Sequence, residues 1–160
     1  MSKTNIIAEP GKQEVTITRI FNAPRDLVFR MYTDPATVPD WWGPRSLQTR
    51  VDRMEVKKGG VWRYVQRENG GSEFAHNGVY HEVAAPERLI NTYEFEGYPG
   101  VVGLVTTTFE ELAGGKTKFS ELTLYPSVEV REAVLQTGMA EGANELLDRL
   151  EEQLEKVQSR

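Results

Sequence analysis

Residues 127–157 read SVEVREAVLQTGMAEGANELLDRLEEQLEKV, and the spacing of their apolar side chains sets the architecture of the chain. Val130, Ala133 and Val134 recur at helical intervals on one side. Ala140, Ala143, Leu147, Leu150, Leu154 and Val157 recur on another, roughly 130° away at about 100° per residue. One straight helix cannot bury both stripes against one surface. The phase changes at residues 137–139, beside Gly138 and Gly142. The pattern therefore predicts a short helix capped by Ser127, a break near Gly138, and a long amphipathic helix of about 18 residues, or roughly 27 Å.

A long amphipathic helix needs a surface to cover, and residues 46–125 supply it. SLQTRVDRMEV, VWRYVQR, FAHNGVYHEVA, RLINTYEFE, VVGLVTTTFEEL and TKFSELTLY read as strands, separated by KKGG, ENGGSE, a turn at Pro86, GYPG and AGGK. Short Gly-rich connections join antiparallel neighbours and leave no room for crossover helices. Upstream, EVTITRIF (14–21) alternates as a half-buried strand. It leads into a helix over APRDLVFRMYT, stopped at Asp34-Pro35, and a second short helical turn, ATVPDWW. The expected fold class is α+β: a seven-stranded, curved antiparallel sheet wrapped on the long C-terminal helix, with two short helices after strand one. Residues 1–12 read as a flexible tail and residues 13–157 as a single domain.

Composition narrows the function. A 160-residue chain with 39% hydrophobic and 27% charged residues can build one sizeable core. No apolar run approaches the roughly 20 residues a bilayer span requires, and the N-terminus lacks signal-peptide features, so the expected location is cytoplasmic. Cysteine is absent, which removes disulfides and thiolate chemistry. The two histidines, His76 and His81, lie five apart on a predicted strand and so face opposite ways, which argues against zinc or any other metal. A net charge of −5 and scattered Lys and Arg argue against nucleic acid. GxSxG, Walker and GxGxxG motifs are all missing, so neither a catalytic residue nor a cofactor is assigned.

The candidate binding residues are aromatic, with few polar companions. Trp41 and Trp42 form the most unusual dipeptide: one indole can line the mouth of a cavity, or one can plug the core. Trp62 and Tyr64 share one face of their strand, as do Tyr93 and Phe95 of theirs, and Phe109 lies in phase with Val105 and Thr107. Opposite them the helix offers Met139, Ala140, Gly142 and Ala143, small or flexible residues that either interdigitate with the rings or leave a gap. His76 shares a phase with Phe74 and Tyr80. Arg19 and Glu121 share phases with apolar neighbours, so either both turn inward as a buried ion pair or a bulge turns one outward. The ligand-binding set is thus Trp41, Trp42, Trp62, Tyr64, His76, Tyr93, Phe95, Phe109, Glu121, Met139 and Ala143.

The run FNAPRDLVFRMYTDPATVPDWWGP, together with KKGGVWRY, NGVYHEVAAPERLINTYEF and TGMAEGANELLDRLEEQL, resembles the activator-of-heat-shock-protein-90-ATPase-homologue-like family. That family is a branch of the START/SRPBCC (Bet v-type) superfamily. The resemblance covers nearly the whole chain from about Val15 to Leu154. It implies the helix-grip fold. It also implies a carrier or sensor that holds a hydrophobic or aromatic small molecule between sheet and helix. Two alternatives follow from the same resemblance. One is a co-chaperone-like module with a chaperone as partner, although the family's naming member has a further N-terminal domain where this sequence has a polar tail. The other is a cyclase- or aromatase-type enzyme, which requires Glu121 or His76 to face the cavity.

Overall fold

The computed structural model describes residues 3–160. Eight strands form one antiparallel sheet: β1 (Asn5–Ile7), β2 (Glu14–Phe21), β3 (Leu47–Met54), β4 (Val61–Glu68), β5 (Glu73–Ala84), β6 (Arg88–Phe95), β7 (Val102–Leu112) and β8 (Lys116–Leu124). Their order is β1-β2-β8-β7-β6-β5-β4-β3. The last six strands form a continuous meander, and β2 closes on β8 after α1 (Arg25–Thr33) and a 3-10 turn at Val38–Asp40 have crossed one face. Bulges between Val51 and Arg53 and between Tyr80 and Glu82 bend the far half of the sheet. Among the described residues, no helix is long and apolar enough to cross a membrane.

The sheet has eight strands where the sequence predicts seven. The addition is β1, whose residues Asn5 and Ile7 pair with Thr18 and Thr16 of β2. Three residues are too few to display an alternating pattern, so a polar approach to the domain hides an edge strand.

The helical end follows the predicted phase change. α2 spans Val128–Leu135, with the Ser127 side chain accepting from the Val130 N–H, and α3 spans Met139–Gln158. Gly138 sits between them at φ 82°, a left-handed conformation that costs a residue with a Cβ roughly 1–2 kcal/mol. The break frees α3 to lay Leu147, Leu150 and Leu154, all fully buried, onto the sheet. Each contributes about 1.5–3 kcal/mol of hydrophobic stabilisation.

Arg19 and Glu121 depart from both sequence alternatives. The β2–β8 register runs without a bulge from Glu14↔Leu124 to Phe21↔Thr117, so both residues face the helices. They do not pair with each other. Arg19, 2% exposed, reaches Asp148 at 2.7 Å and Glu151 at 3.2 Å, both on α3, and donates to the Thr4 hydroxyl at 3.0 Å. This buried cation ties the helix to the sheet, and Glu121 is left to other partners.

Candidate functional site

The strand registers arrange the inward side chains in rows. One row joins Ile17, Glu121, Thr107 and Leu89 across β2, β8, β7 and β6. The next joins Val15, Thr123, Val105, Asn91 and Tyr80. A third joins Gly103, Tyr93, Gly78 and Trp62, and a fourth joins Phe95, His76, Tyr64 and Val51. Large aromatic rings therefore stand on the third and fourth rows, and Glu121 on the first. Thr123, Val105 and Asn91, none of them large, lie between.

At the aromatic end the rings contact one another in sequence. Trp42 meets Tyr64 and His76 edge-on at 5.0 and 4.9 Å, Trp62 lies 4.7 Å from Tyr64, and His76 lies 5.2 Å from Phe95. Trp62 stacks on Tyr93 at 6.1 Å and gives its indole N–H to the Thr92 carbonyl. Gly78 makes this possible, because a Cβ there would collide with the Trp62 indole and the Thr92 carbonyl. Trp42 is aimed by its own turn. Thr49 donates to its carbonyl at 2.7 Å, and the next residue, Gly43 (φ 91°), leaves the space that the Gln66 amide occupies.

His76 is the polar centre of this end. Its Nε2 lies 2.8 Å from Gln66 Oε1 and its Nδ1 2.6 Å from the Tyr93 hydroxyl. The Gln66 oxygen only accepts, so Nε2 carries the proton and Tyr93 donates to Nδ1. Burial pushes the His76 pKa down to about 4, against which the charge of Glu96 works in the opposite direction. The imidazole is therefore neutral at neutral pH. The Tyr93 hydroxyl, with its hydrogen directed to His76, presents its lone pairs to its surroundings.

Glu121 is the acid of the inner face. It accepts from the Tyr32 hydroxyl at 3.1 Å through Oε2. Burial raises its pKa above the usual carboxylate range, and the Tyr32 bond only partly counteracts that. Its charge in turn helps to raise the pKa values of Tyr32, Tyr93 and Tyr125, where burial is the larger cause. These three hydroxyls lie within its electrostatic reach. Glu121, Tyr93 and Phe95 on the sheet, and Tyr32, Trp42 and Tyr125 beside it, are half-buried and keep accessible surface.

A family model described as Activator of Hsp90 ATPase homolog 1-like protein matches residues 22–155. The chain belongs to this family. Solved structures agree on the fold of this Activator of Hsp90 ATPase homolog 1-like chain. A Rhodobacter sphaeroides protein is 26% identical, with a TM-score of 0.88 over 96% of this chain and 99% of its own. Protein Ms6760 of Mycobacterium smegmatis is also 26% identical, with a TM-score of 0.84 over 94% and 95%. An Arthrobacter aurescens protein, 22% identical, shares the fold at a TM-score of 0.87 over 95% and 91%. No curated protein matches. Membership fixes the architecture; the chemistry has to come from the side chains.

In this family member the eleven sequence-predicted residues separate into groups. Trp42, Trp62, Tyr64, His76, Tyr93 and Phe95 come together in the cluster just described, and Met139 and Ala143 pack half-buried against the core. Glu121 faces the same side across the row of Thr123, Val105 and Asn91. Trp41 and Phe109, each 1% exposed, belong instead to a closed core with Phe29 and Phe119, at whose edge the half-buried Tyr32 meets both. Sequence reasoning did not single out Tyr32, Gln66, Asn91 or Tyr125 as site residues. Tyr32 and Tyr125 stand at element ends where periodicity fades, but Gln66, in phase with Trp62 and Tyr64, was available as a polar residue on an apolar face.

A concavity lies away from this cluster. An open groove of about 720 Å³ runs between Asn22 and Pro24, the Gly114-Gly115 turn, and Glu151, Leu154 and Gln158 near the end of α3. None of the predicted binding residues lines it. Its edges are polar and solvent-facing, and it lacks the convergent aromatic rings of the inner face.

Proposed function

We propose that this protein holds a hydrophobic or aromatic small molecule between its sheet and α3, in an internal cavity bounded by Trp42, Trp62, Tyr64, His76, Tyr93, Phe95 and Glu121. One observation carries the reading. Inward-facing Glu121, Tyr93 and Phe95 keep accessible surface beside Thr123, Val105 and Asn91, three side chains that are not large, which is how a core with space left in it looks. The polar groups support it. A pocket that fixes an orientation needs a few satisfied polar tips among apolar walls, and the Gln66–His76–Tyr93 chain and the Tyr32–Glu121 pair are of that kind. Met139 and Ala143, at the start of α3, form the other wall.

The test is heteronuclear NMR with a panel of lipids, flavonoids and aromatic amines, alcohols and acids. Binding is expected to move the indole signals of Trp42 and Trp62 and the methyl signal of Met139. A panel that leaves all three in place removes the proposal.

A second reading, a co-chaperone-like interaction module, draws on the family match and on the outer face of the sheet. There Leu104 pairs directly with Leu124, and both, with Val102, are exposed. It predicts stimulation of the ATPase of an Hsp90-class chaperone. A flat ATPase rate over a saturating titration would dispose of it.

A further inference from the structure

We infer that the inner site selects an organic cation: a ligand whose ammonium group lies against Glu121 and whose apolar body lies along Tyr93, Trp62 and Phe95. This rests on the ligand-holding reading above and names the chemical class of its ligand.

The first argument is the fate of the cations. Glu121 is the acid on its row, and among the described residues every buried or half-buried arginine near the helices is committed elsewhere. Arg19, two residues from Glu121's strand partner Ile17, is held by Asp148 and Glu151 of α3. Arg131 donates to the Glu9 and Glu14 carbonyls and pairs with Glu132. Arg149 donates to the carbonyls of Asp40, Gly43 and Pro44, and Arg25 of α1 to the Phe109 carbonyl. His76 is neutral and its two nitrogens are occupied. Glu121 therefore has a hydrogen-bond donor, Tyr32, and no countercharge.

The second argument is what faces the space. From α1 comes Tyr32, from β6 Tyr93, and from the end of β8 Tyr125; these are the titratable groups within reach of Glu121, and none carries a positive charge. Aromatic rings present electron-rich faces that attract cations. The Tyr93 oxygen, with its proton directed to His76, accepts hydrogen bonds there. A site made of a carboxyl, an accepting hydroxyl and π faces complements a positive ligand and rejects an anionic one.

The third argument concerns the proton. An acid buried without a countercharge stays protonated above its ordinary range. A permanent cation seated beside it favours the ionised form, so binding lowers the pKa of Glu121 and releases a proton wherever the unliganded carboxyl is still protonated. Neutral ligands of the same shape give no such release.

Isothermal titration calorimetry on the full chain tests this with three probes of one shape: (2-naphthylmethyl)trimethylammonium, 2-naphthylmethanol and 2-naphthoate. The quaternary ammonium has no proton to lose, so any release comes from the protein. Its binding is expected to be about tenfold tighter than that of the alcohol, with naphthoate weakest. Across a pH series its heat is expected to vary with the ionisation enthalpy of the buffer, in the direction of proton release, once the pH enters the range where the unliganded carboxyl is protonated. In Glu121→Gln the ammonium preference and the buffer dependence should both vanish. The buffer dependence in the unmodified protein decides the matter even if that variant fails to fold. If the alcohol binds as tightly as the ammonium and no proton is released, the cation assignment is overturned and the ligand-holding reading stands. If none of the three probes binds, both are overturned.

Discussion

Two aromatic clusters share the inner face of one sheet, and they have been put to different uses. At one end Phe21, Phe29, Phe109 and Phe119 pack edge to face, with Phe29 5.2 Å and Phe119 5.8 Å from Phe109, and Trp41 joins the same core against Tyr32. α1 and the 3-10 turn lie over them, and Phe21, Phe109, Phe119 and Trp41 are essentially sealed. At the other end Trp42, Trp62, Tyr64, His76, Tyr93 and Phe95 meet at similar spacings, but His76 and Tyr93 bond through their polar atoms. Although Trp62, Tyr64 and His76 are buried, Trp42, Tyr93 and Phe95 keep part of their surface open. Ring count and spacing do not separate a core from a site. Polar tips and retained surface do. The adjacent indoles make the point, because Trp41 goes to the sealed end and Trp42 to the open one.

The largest expected effect sets the two ends against each other. Phe109→Ala removes a ring from a filled core and is expected to cost about 3–5 kcal/mol in urea unfolding, the range for large-to-small core changes. Phe95→Ala, at the open end, is expected to cost about 1–2 kcal/mol, because part of that ring is already in contact with space. Equal losses would mean that the open end is ordinary core, and the ligand-holding reading would lose its footing.

The next effect belongs to the open end alone. His76 titrates near 4 in the folded chain against a reference of 6.5. Between those values the unfolded chain binds a proton that the folded one refuses, so this residue makes stability rise with pH across that window by up to about 3 kcal/mol. An NMR titration of the His76 ring should give a midpoint close to 4. A midpoint above 6 would show an imidazole in contact with water and would dissolve the Gln66–His76–Tyr93 chain as a fixed element.

Much of this division was legible in the sequence, and what was missed has definite causes. The break at Gly138 and the inward phase of Trp62, Tyr64, Tyr93 and Phe95 are periodic signals, and periodicity survives folding. Irregular segments offer no period, which is why the opposite fates of Trp41 and Trp42 could not be read from their adjacency. Pairing across long separations is equally hidden. Asp148 and Glu151 lie on a helix whose charges look like solvent-facing residues, yet they claim Arg19 from a strand at the opposite end of the chain. That pairing is what leaves Glu121 without the partner its phase suggested.

Glu121 yields the smallest predicted effect and the most discriminating one, because its sign opposes that of His76. Burial holds the folded pKa of Glu121 above the ordinary carboxyl value, so as pH rises past that value the unfolded chain sheds a proton that the folded one keeps. Stability on this account falls with rising pH and levels off once the folded carboxyl ionises, while His76 drives it upward through 4 to 6.5. The two contributions partly cancel, and the unmodified protein should show a shallow profile over that range. Glu121→Gln removes the falling component and still accepts from Tyr32. Its stability should match that of the unmodified protein near pH 4 and exceed it at neutral pH, with the rising limb from His76 exposed. A variant less stable than its parent at neutral pH would mean that the carboxylate is already paired, and the distinction between a sealed end and an end waiting for a charged ligand would fail at its acid.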